Sequence, residues 1–201
     1  MVELDLESLR ARLLAALEGR RRRAVEPGTC VPAAVLVLFV YRDGDPRLVF
    51  TKKTGDVPHH QGQFSFPGGV VERADASRVE TALREAGEEI GLDAGNVDVL
   101  GMLDDVPTGT SRFVITPVVA LARGAPALRA DGREIERILE VPLRRLLDPA
   151  SFRQELWERD GALHPVLFYT YGDDVVWGAT ARILRGLLDL VGTPEPRTVT
   201  E

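Results

Sequence analysis

The residues with the most chemistry in this chain stand close together: Glu85, Glu88 and Glu89 in "VETALREAGEEIGL". At about 100° per helical residue, positions three and four apart share a face, and Glu85 and Glu89 lie one turn apart. Three like charges so placed repel by a few tenths of a kcal/mol per pair at an exposed surface, and by more when part-buried. A divalent cation reverses that sign. Hard carboxylate oxygens without histidine or cysteine suit Mg²⁺ or Mn²⁺ rather than zinc, and Mg²⁺ commonly fills its remaining positions with water and phosphate oxygens. The pattern therefore points to a phosphate-bearing substrate. Taken alone, the same glutamates also fit a solvated acidic face with Arg78 and Arg84 as partners. Ordinary turn chemistry also explains the preceding "FPGG"; what favours the metal reading is the order of glycine loop, acidic connector and helix. The loop's proline restricts the backbone, while Gly68 and Gly69 permit close approach, so a tight ligand-facing loop leads through an acidic connector into the acidic helix.

The whole stretch "GGVVERADASRVETALREAGEEIGL" resembles the signature of the Nudix hydrolases, which cleave nucleoside diphosphates linked to another moiety. Gly69 is followed by five residues and Asp75, then by eight residues and "REAGEEIGL", Arg84 to Leu92. Asp75 stands where the family pattern has glutamate, the connector is one residue longer, and Ala86 is small for its aliphatic position. The resemblance implies Mg²⁺ or Mn²⁺ on Glu85 and Glu89, with Glu88 as a third ligand. Arg84 is expected to orient the neighbouring carboxylates. For the base that activates water, Glu88, Glu134 and Glu136 are all open.

The flank "LVFTKKTGDVPHHQGQFSFPGG" resembles the extra motif of the coenzyme A pyrophosphatases within that family. Thr51, Gly62 and Phe66 to Gly69 match it; Lys53 stands for an arginine, Thr54 for a serine, Phe64 for a valine, and Pro58 for a second arginine. The longer connector and "VVWGATARILRGLL" resemble the same group. This implies hydrolysis of coenzyme A, free or derivatised, to 3′,5′-ADP and 4′-phosphopantetheine. Such a ligand carries three phosphates, and Lys52, Lys53, His59 and His60 are the candidate cations, beside the backbone of Gly68 and Gly69. A lysine offers a point charge without arginine's bidentate fork. Phe64, Phe66 and Trp177 read as core aromatics. Other Nudix substrates, such as ADP-ribose, dinucleoside polyphosphates or oxidised nucleotides, and a binding module that does not hydrolyse, are the alternatives.

The elements that must position these groups follow from periodicity. Leu6, Leu9, Leu13, Leu14 and Leu17 predict an amphipathic N-terminal helix ending near Gly19, followed by the basic run Arg20 to Arg23, read as a solvated helix end. "AAVLVLFVYRDGDPRLVFTKK" predicts a hairpin turning at Arg42 to Pro46. Val79, Ala82, Leu83, Ala86 and Ile90 predict the acidic helix, with Gly91 as its stop. Strands are expected in "VDVLGMLDDV" and "FVITPVVALA", a short helix in "VPLRRLLDP", then strand, turn, strand, and a helix from about Ala179. The fold class is α+β, and the resemblance implies the Nudix fold, a mixed sheet between helices (α/β/α). The N-terminal helix (1–28) packs on one Nudix domain (29–192), followed by a flexible tail (193–201).

At 201 residues, 44% hydrophobic and 28% charged, one folded domain is expected. A formal charge of −6 argues against nucleic acid as partner. One cysteine, Cys30, allows no internal disulfide, and no apolar run is long enough to span a bilayer. A cytoplasmic monomer or homodimer acting on a small molecule, with no membrane partner, is the expectation.

Overall fold

The computed structural model describes residues 5–54, 64–109, 112–159 and 161–192. The elements run in the order α1 (Leu6–Glu18), β1 (Val31–Arg42), β2 (Asp45–Lys53), β3 (Phe64–Ser65), β4 (Gly68–Val70) and α2 (Arg78–Ile90). They continue with β5 (Val97–Met102), β6 (Val106–Pro107), β7 (Phe113–Ala122), β8 (Ile135–Pro142) and α3 (Leu143–Leu146). The chain then forms β9 (Phe152–Arg159), β10 (Ala162–Tyr171), β11 (Asp174–Trp177) and α4 (Gly178–Val191). The expected tail at 193–201, together with Pro58, His59, His60 and Gly62, lies outside the described residues.

The main sheet follows the order β3-β2-β1-β7-β5, with β4 also on β1, β6 on β7 and β8 on β2. β1 and β7 pair in parallel, Val31 with Phe113 through Phe39 with Leu121, while its other pairings are antiparallel. The sheet is therefore mixed. β1 turns into β2 through Asp43 and Gly44, both at positive φ, as the two-residue Asp-Gly hairpin turn demands. β9, β10 and β11 form a separate antiparallel sheet.

β1 reads as an almost continuous apolar run because it is covered on both faces. Ala34, Leu36, Leu38 and Val40 pack with Ala82, Ala86 and Ile90 of α2. The alternate residues Val37 and Phe39 belong to a second core, which takes in Leu9 and Leu13 of α1, Leu184, Leu187 and Leu188 of α4, and Tyr169 of β10. Helices on both faces give the expected α/β/α layering. Each fully buried Leu, Ile or Phe contributes about 1.5–3 kcal/mol, so α2 is seated by its apolar stripe while the polar stripe is left for chemistry. Phe64 and Phe66 are buried, and Phe66 stacks on Phe50 at 4.7 Å between ring centres.

The basic run after α1 corrects the sequence expectation. Arg20 pairs with Asp104 and Arg22 with Asp105, while Arg22 Nε also donates to the Leu103 carbonyl at 3.0 Å. Two of these arginines tie the N-terminal segment to the loop after β5 rather than standing in solvent. Among the described residues, no helix is long and apolar enough to cross a membrane.

Candidate metal and pyrophosphate site

α2 begins where Ser77 accepts the Glu80 N–H at 3.2 Å, and the Glu80 carboxylate reaches back to the Ala76 N–H at 2.6 Å. This is a reciprocal arrangement like a capping box, shifted by one residue at the return bond. Glu80, outside the metal pattern, thus serves the helix start. The helix stops at Gly91, in the left-handed region with φ 66°, from which Leu92 turns back onto the Ala86 carbonyl at 3.3 Å. Its last free carbonyls are taken by another segment: Arg129 N–H donates to Ile90 and Asp131 N–H to Glu89. Asp131 in turn accepts the N–H groups of Arg133, Glu134 and Ile135. The loop that carries Glu134 is thereby fastened to the helix that carries Glu89.

The glycines let backbone and carboxylate meet. A Cβ on Gly68 would lie 2.3 Å from the Ala34 carbonyl oxygen of β1, and one on Gly69 would lie 2.4 Å from the Glu85 carboxyl group. Any larger residue at either position would displace the loop or Glu85. The Gly68 N–H donates to Glu89 Oε2 at 3.1 Å. The expected ligand-facing loop is thus, first of all, a seat for the two carboxylates.

Lys53 completes the cluster from β2. The pairing of β2 with β8 is irregular between Lys52 and Lys53, and such a bulge re-aims side chains. Lys52 Nζ meets Glu136 at 3.2 Å, whereas Lys53 Nζ meets Glu89 Oε1 at 3.0 Å and Glu134 Oε2 at 3.7 Å. Burial pushes the Glu89 carboxyl above its usual range despite the Lys53 ammonium and the Gly68 N–H. Burial likewise raises Glu85, against the pull of Arg84 and with a push from Glu88. For Lys53, burial favours the neutral amine, but Glu89, Glu134 and Glu85 outweigh it and raise the ammonium. The two carboxylate shifts report burial that Lys53 and Arg84 do not fully offset, and the lysine shift reports the carboxylates gathered around it.

The three glutamates do not converge as the spacing suggests. Glu88 is 62% exposed at its side chain and turns to Arg84 Nη1 at 3.4 Å, whereas Glu89 is 4% exposed and Glu85 17%. Among the described residues no group of three carboxylates stands ready around one ion. The helical angle explains this: Glu88 and Glu89 flank Glu85 at about 60° and 40° on opposite sides, and the sheet covers only the Glu89 side. Two part-buried carboxylates deficient in counter-charge still fit a hard divalent ion whose other ligands are water and substrate oxygens.

Asp75 carries more structure than the sequence suggests. Its carboxylate accepts from Arg84 Nε at 3.0 Å, Arg84 Nη2 at 3.1 Å, Thr81 Oγ1 at 2.8 Å and the Glu72 N–H at 2.9 Å. The Arg84 hydrogen bonds above all hold it well below the usual carboxylate range, and Asp75 in turn raises Arg84. So fixed, Arg84 donates to Glu85 at 2.9 Å and to the Val70 carbonyl at 3.2 Å. Arg84 therefore orients Glu85 between loop and helix. The signal in the sequence was an acid at the connector's variant position. His60 lies outside the described residues.

A family model described as the NUDIX domain matches residues 31–162. The chain is 36% identical over 159 residues, 79% of its length, to a protein of Photorhabdus laumondii described as an uncharacterized Nudix hydrolase NudL, covering 84% of that protein. The protein of the same description from Cronobacter sakazakii is 38% identical over 80% of this chain and 82% of its own. A crystal structure of a MutT/nudix family protein from Enterococcus faecalis superposes with a TM-score of 0.52 at 18% identity, over 90% of this chain and 74% of that one, a likeness of fold. With this match over most of its length and this ordering of glycine loop, clamped arginine and buried glutamates, the chain belongs to the Nudix family, as a pyrophosphohydrolase of nucleoside diphosphate derivatives.

Proposed function

We propose that the enzyme hydrolyses the pyrophosphate of coenzyme A to 3′,5′-ADP and 4′-phosphopantetheine, with Mg²⁺ or Mn²⁺ held by Glu85 and Glu89. The observation carrying this reading is the rim formed by β2 and β3. Thr51 pairs with Ser65 and Lys52 with Phe64, so "LVFTKK" of the coenzyme A pyrophosphatase-like flank lies beside the strand leading into "FPGG", and Lys53 and the Gly68 N–H both reach Glu89. Lys52 and Lys53 there supply cations for a ligand with a 3′-phosphate beyond its pyrophosphate.

In the proposed reaction a water oxygen bonds to one phosphorus of the pyrophosphate, the bridging P–O bond breaks, and the bridging oxygen leaves with the other phosphate. The bound ion supplies charge neutralisation on the phosphates and an acidified water. Glu134 takes the water's proton. It is 64% exposed, on a different element from the ligands, and faces Lys53 rather than an arginine. Of the other two candidates, Glu88 is engaged by Arg84 and Glu136 by Lys52. Lys53 and Lys52 hold phosphate oxygens, the Gly68–Gly69 backbone keeps Glu85 and Glu89 in place, and Arg84 fixes the direction of Glu85.

The test is a panel of coenzyme A, dephospho-coenzyme A, ADP-ribose and diadenosine tetraphosphate with Mg²⁺ or Mn²⁺, products separated by chromatography. Coenzyme A is expected to give 3′,5′-ADP with the highest kcat/KM, and Lys52→Met to lower kcat/KM for coenzyme A about 10-fold or more through one lost charged hydrogen bond. Faster cleavage of ADP-ribose, without 3′,5′-ADP from coenzyme A, would overturn the assignment.

A further inference from the structure

Lys53 stands where a metal ion on Glu89 would have to act. Its ammonium is 3.0 Å from Glu89 Oε1, and the second oxygen of that carboxylate is already engaged by the Gly68 N–H at 3.1 Å. Glu89 is closed to water and Lys53 is largely covered: their side chains are 4% and 18% exposed. A divalent ion at Oε1 would share that oxygen with an ammonium 3.0 Å away and would be repelled by it in a pocket of low dielectric. Yet Lys53 has a second carboxylate to turn to. It stands at the end of β2, beside the irregular pairing, with Glu134 at 3.7 Å as a second, exposed partner.

We propose that Lys53 is the exchangeable counter-ion of the metal face. It neutralises Glu89 while no metal is bound, is displaced when the divalent ion arrives, and then turns its three donors to the substrate phosphates. Metal and lysine therefore compete for one carboxylate, and a phosphate ligand that engages the displaced ammonium favours metal binding. By reciprocity, metal raises affinity for the phosphate ligand by the same factor. A lysine suits this exchange better than an arginine, whose fork would grip the carboxylate with two bonds.

The inference rests on Glu89 being a metal ligand, and the experiment separates the two claims. Mn²⁺ binding to the full chain, without substrate, is measured by the loss of the free-ion electron paramagnetic resonance signal. Lys53→Met is expected to bind Mn²⁺ about 10-fold tighter or more than the wild type, since no charged hydrogen bond must be broken first. Lys53→Gln, which keeps a donor but no charge, guards against misfolding of the methionine variant and is expected to tighten binding in the same direction. Lys53→Arg binds as weakly as the wild type or more weakly. A lysine that merely supports the fold would lower the melting temperature on substitution and leave Mn²⁺ affinity unchanged or reduced, and that result would overturn the proposal. If Glu89→Gln binds Mn²⁺ as well as the wild type does, the ligand assignment falls, and the counter-ion role with it.

Discussion

Asp75 and Glu89 lie on either side of the same acidic motif, each paired with a cation and each almost wholly covered, at 3% and 4% side-chain exposure. Their chemistry runs in opposite directions. Asp75 accepts four hydrogen bonds, two of them from one guanidinium, and Arg84 holds it far below the ordinary carboxylate range. Glu89 is served by Lys53 and the Gly68 N–H, and burial leaves it above that range. Equal side-chain cover therefore does not mean equal depth or equal function: Asp75 sits in a surface connector where Arg84 covers it, and Glu89 is a buried residue of the helix. A saturated carboxylate organises its neighbours, whereas an under-compensated one retains affinity for a further cation.

Substituting each member breaks the comparison in a different way. The largest effect is expected from Glu89→Gln. Losing this proposed ligand should remove several kcal/mol of charge stabilisation, about 10²- to 10³-fold in kcat/KM, measured by initial rates at saturating Mg²⁺. Asp75→Asn should cost less, about 10- to 100-fold, because it disturbs the orientation of Glu85 through Arg84 and leaves the ligands in place. Its distinguishing mark is a lower melting temperature with or without metal. The smallest effect concerns stability. The folded pKa of Glu85 lies above its ordinary 4.5, so ionising it opposes folding, and its contribution is lost as pH rises through the raised value. Asp75 has the reverse sign: its contribution is present above its ordinary 3.8 and lost as pH falls toward the depressed value. Metal-free Glu85→Gln should thus melt at or above the wild-type temperature at pH 7, with the difference shrinking towards pH 4.5. Asp75→Asn should instead flatten the acid limb of the wild-type curve. Thermal melts from pH 3 to pH 8 read both.

The comparison also shows which parts of the site could be read from the chain. The acidic helix, its glycine stop and the loop before it were legible because a 3.6-residue period and a glycine pair are local signals. The mixed sheet followed from the succession of strand-like and helix-like segments and its layering between helices from the family resemblance; β1 shows the physical reason, since apolar residues on both its faces require two covers. Glu88 went astray because a helical wheel shows an acidic stripe but not which edge of it the sheet will bury. Lys53 was found as a cation, but its partner Glu89 stands 36 positions away, and no spacing rule reports that contact. The anchoring of Arg20 and Arg22 on Asp104 and Asp105 was missed for the same reason, across more than 80 positions. Asp75 lay between the two cases: its variant position was visible, and its four-bond clamp depended on how the connector folds back over Arg84.

We propose that Glu85 and Glu89 bind the metal and the saturated Asp75 does not. Mn²⁺ titration of the wild type, Glu89→Gln and Asp75→Asn, followed by calorimetry on the full chain, tests it most directly. The expected result is binding by the wild type, loss of that binding in Glu89→Gln, and Asp75→Asn retaining it within about 10- to 100-fold of wild-type affinity. Full loss in Asp75→Asn with Glu89→Gln unaffected would contradict it.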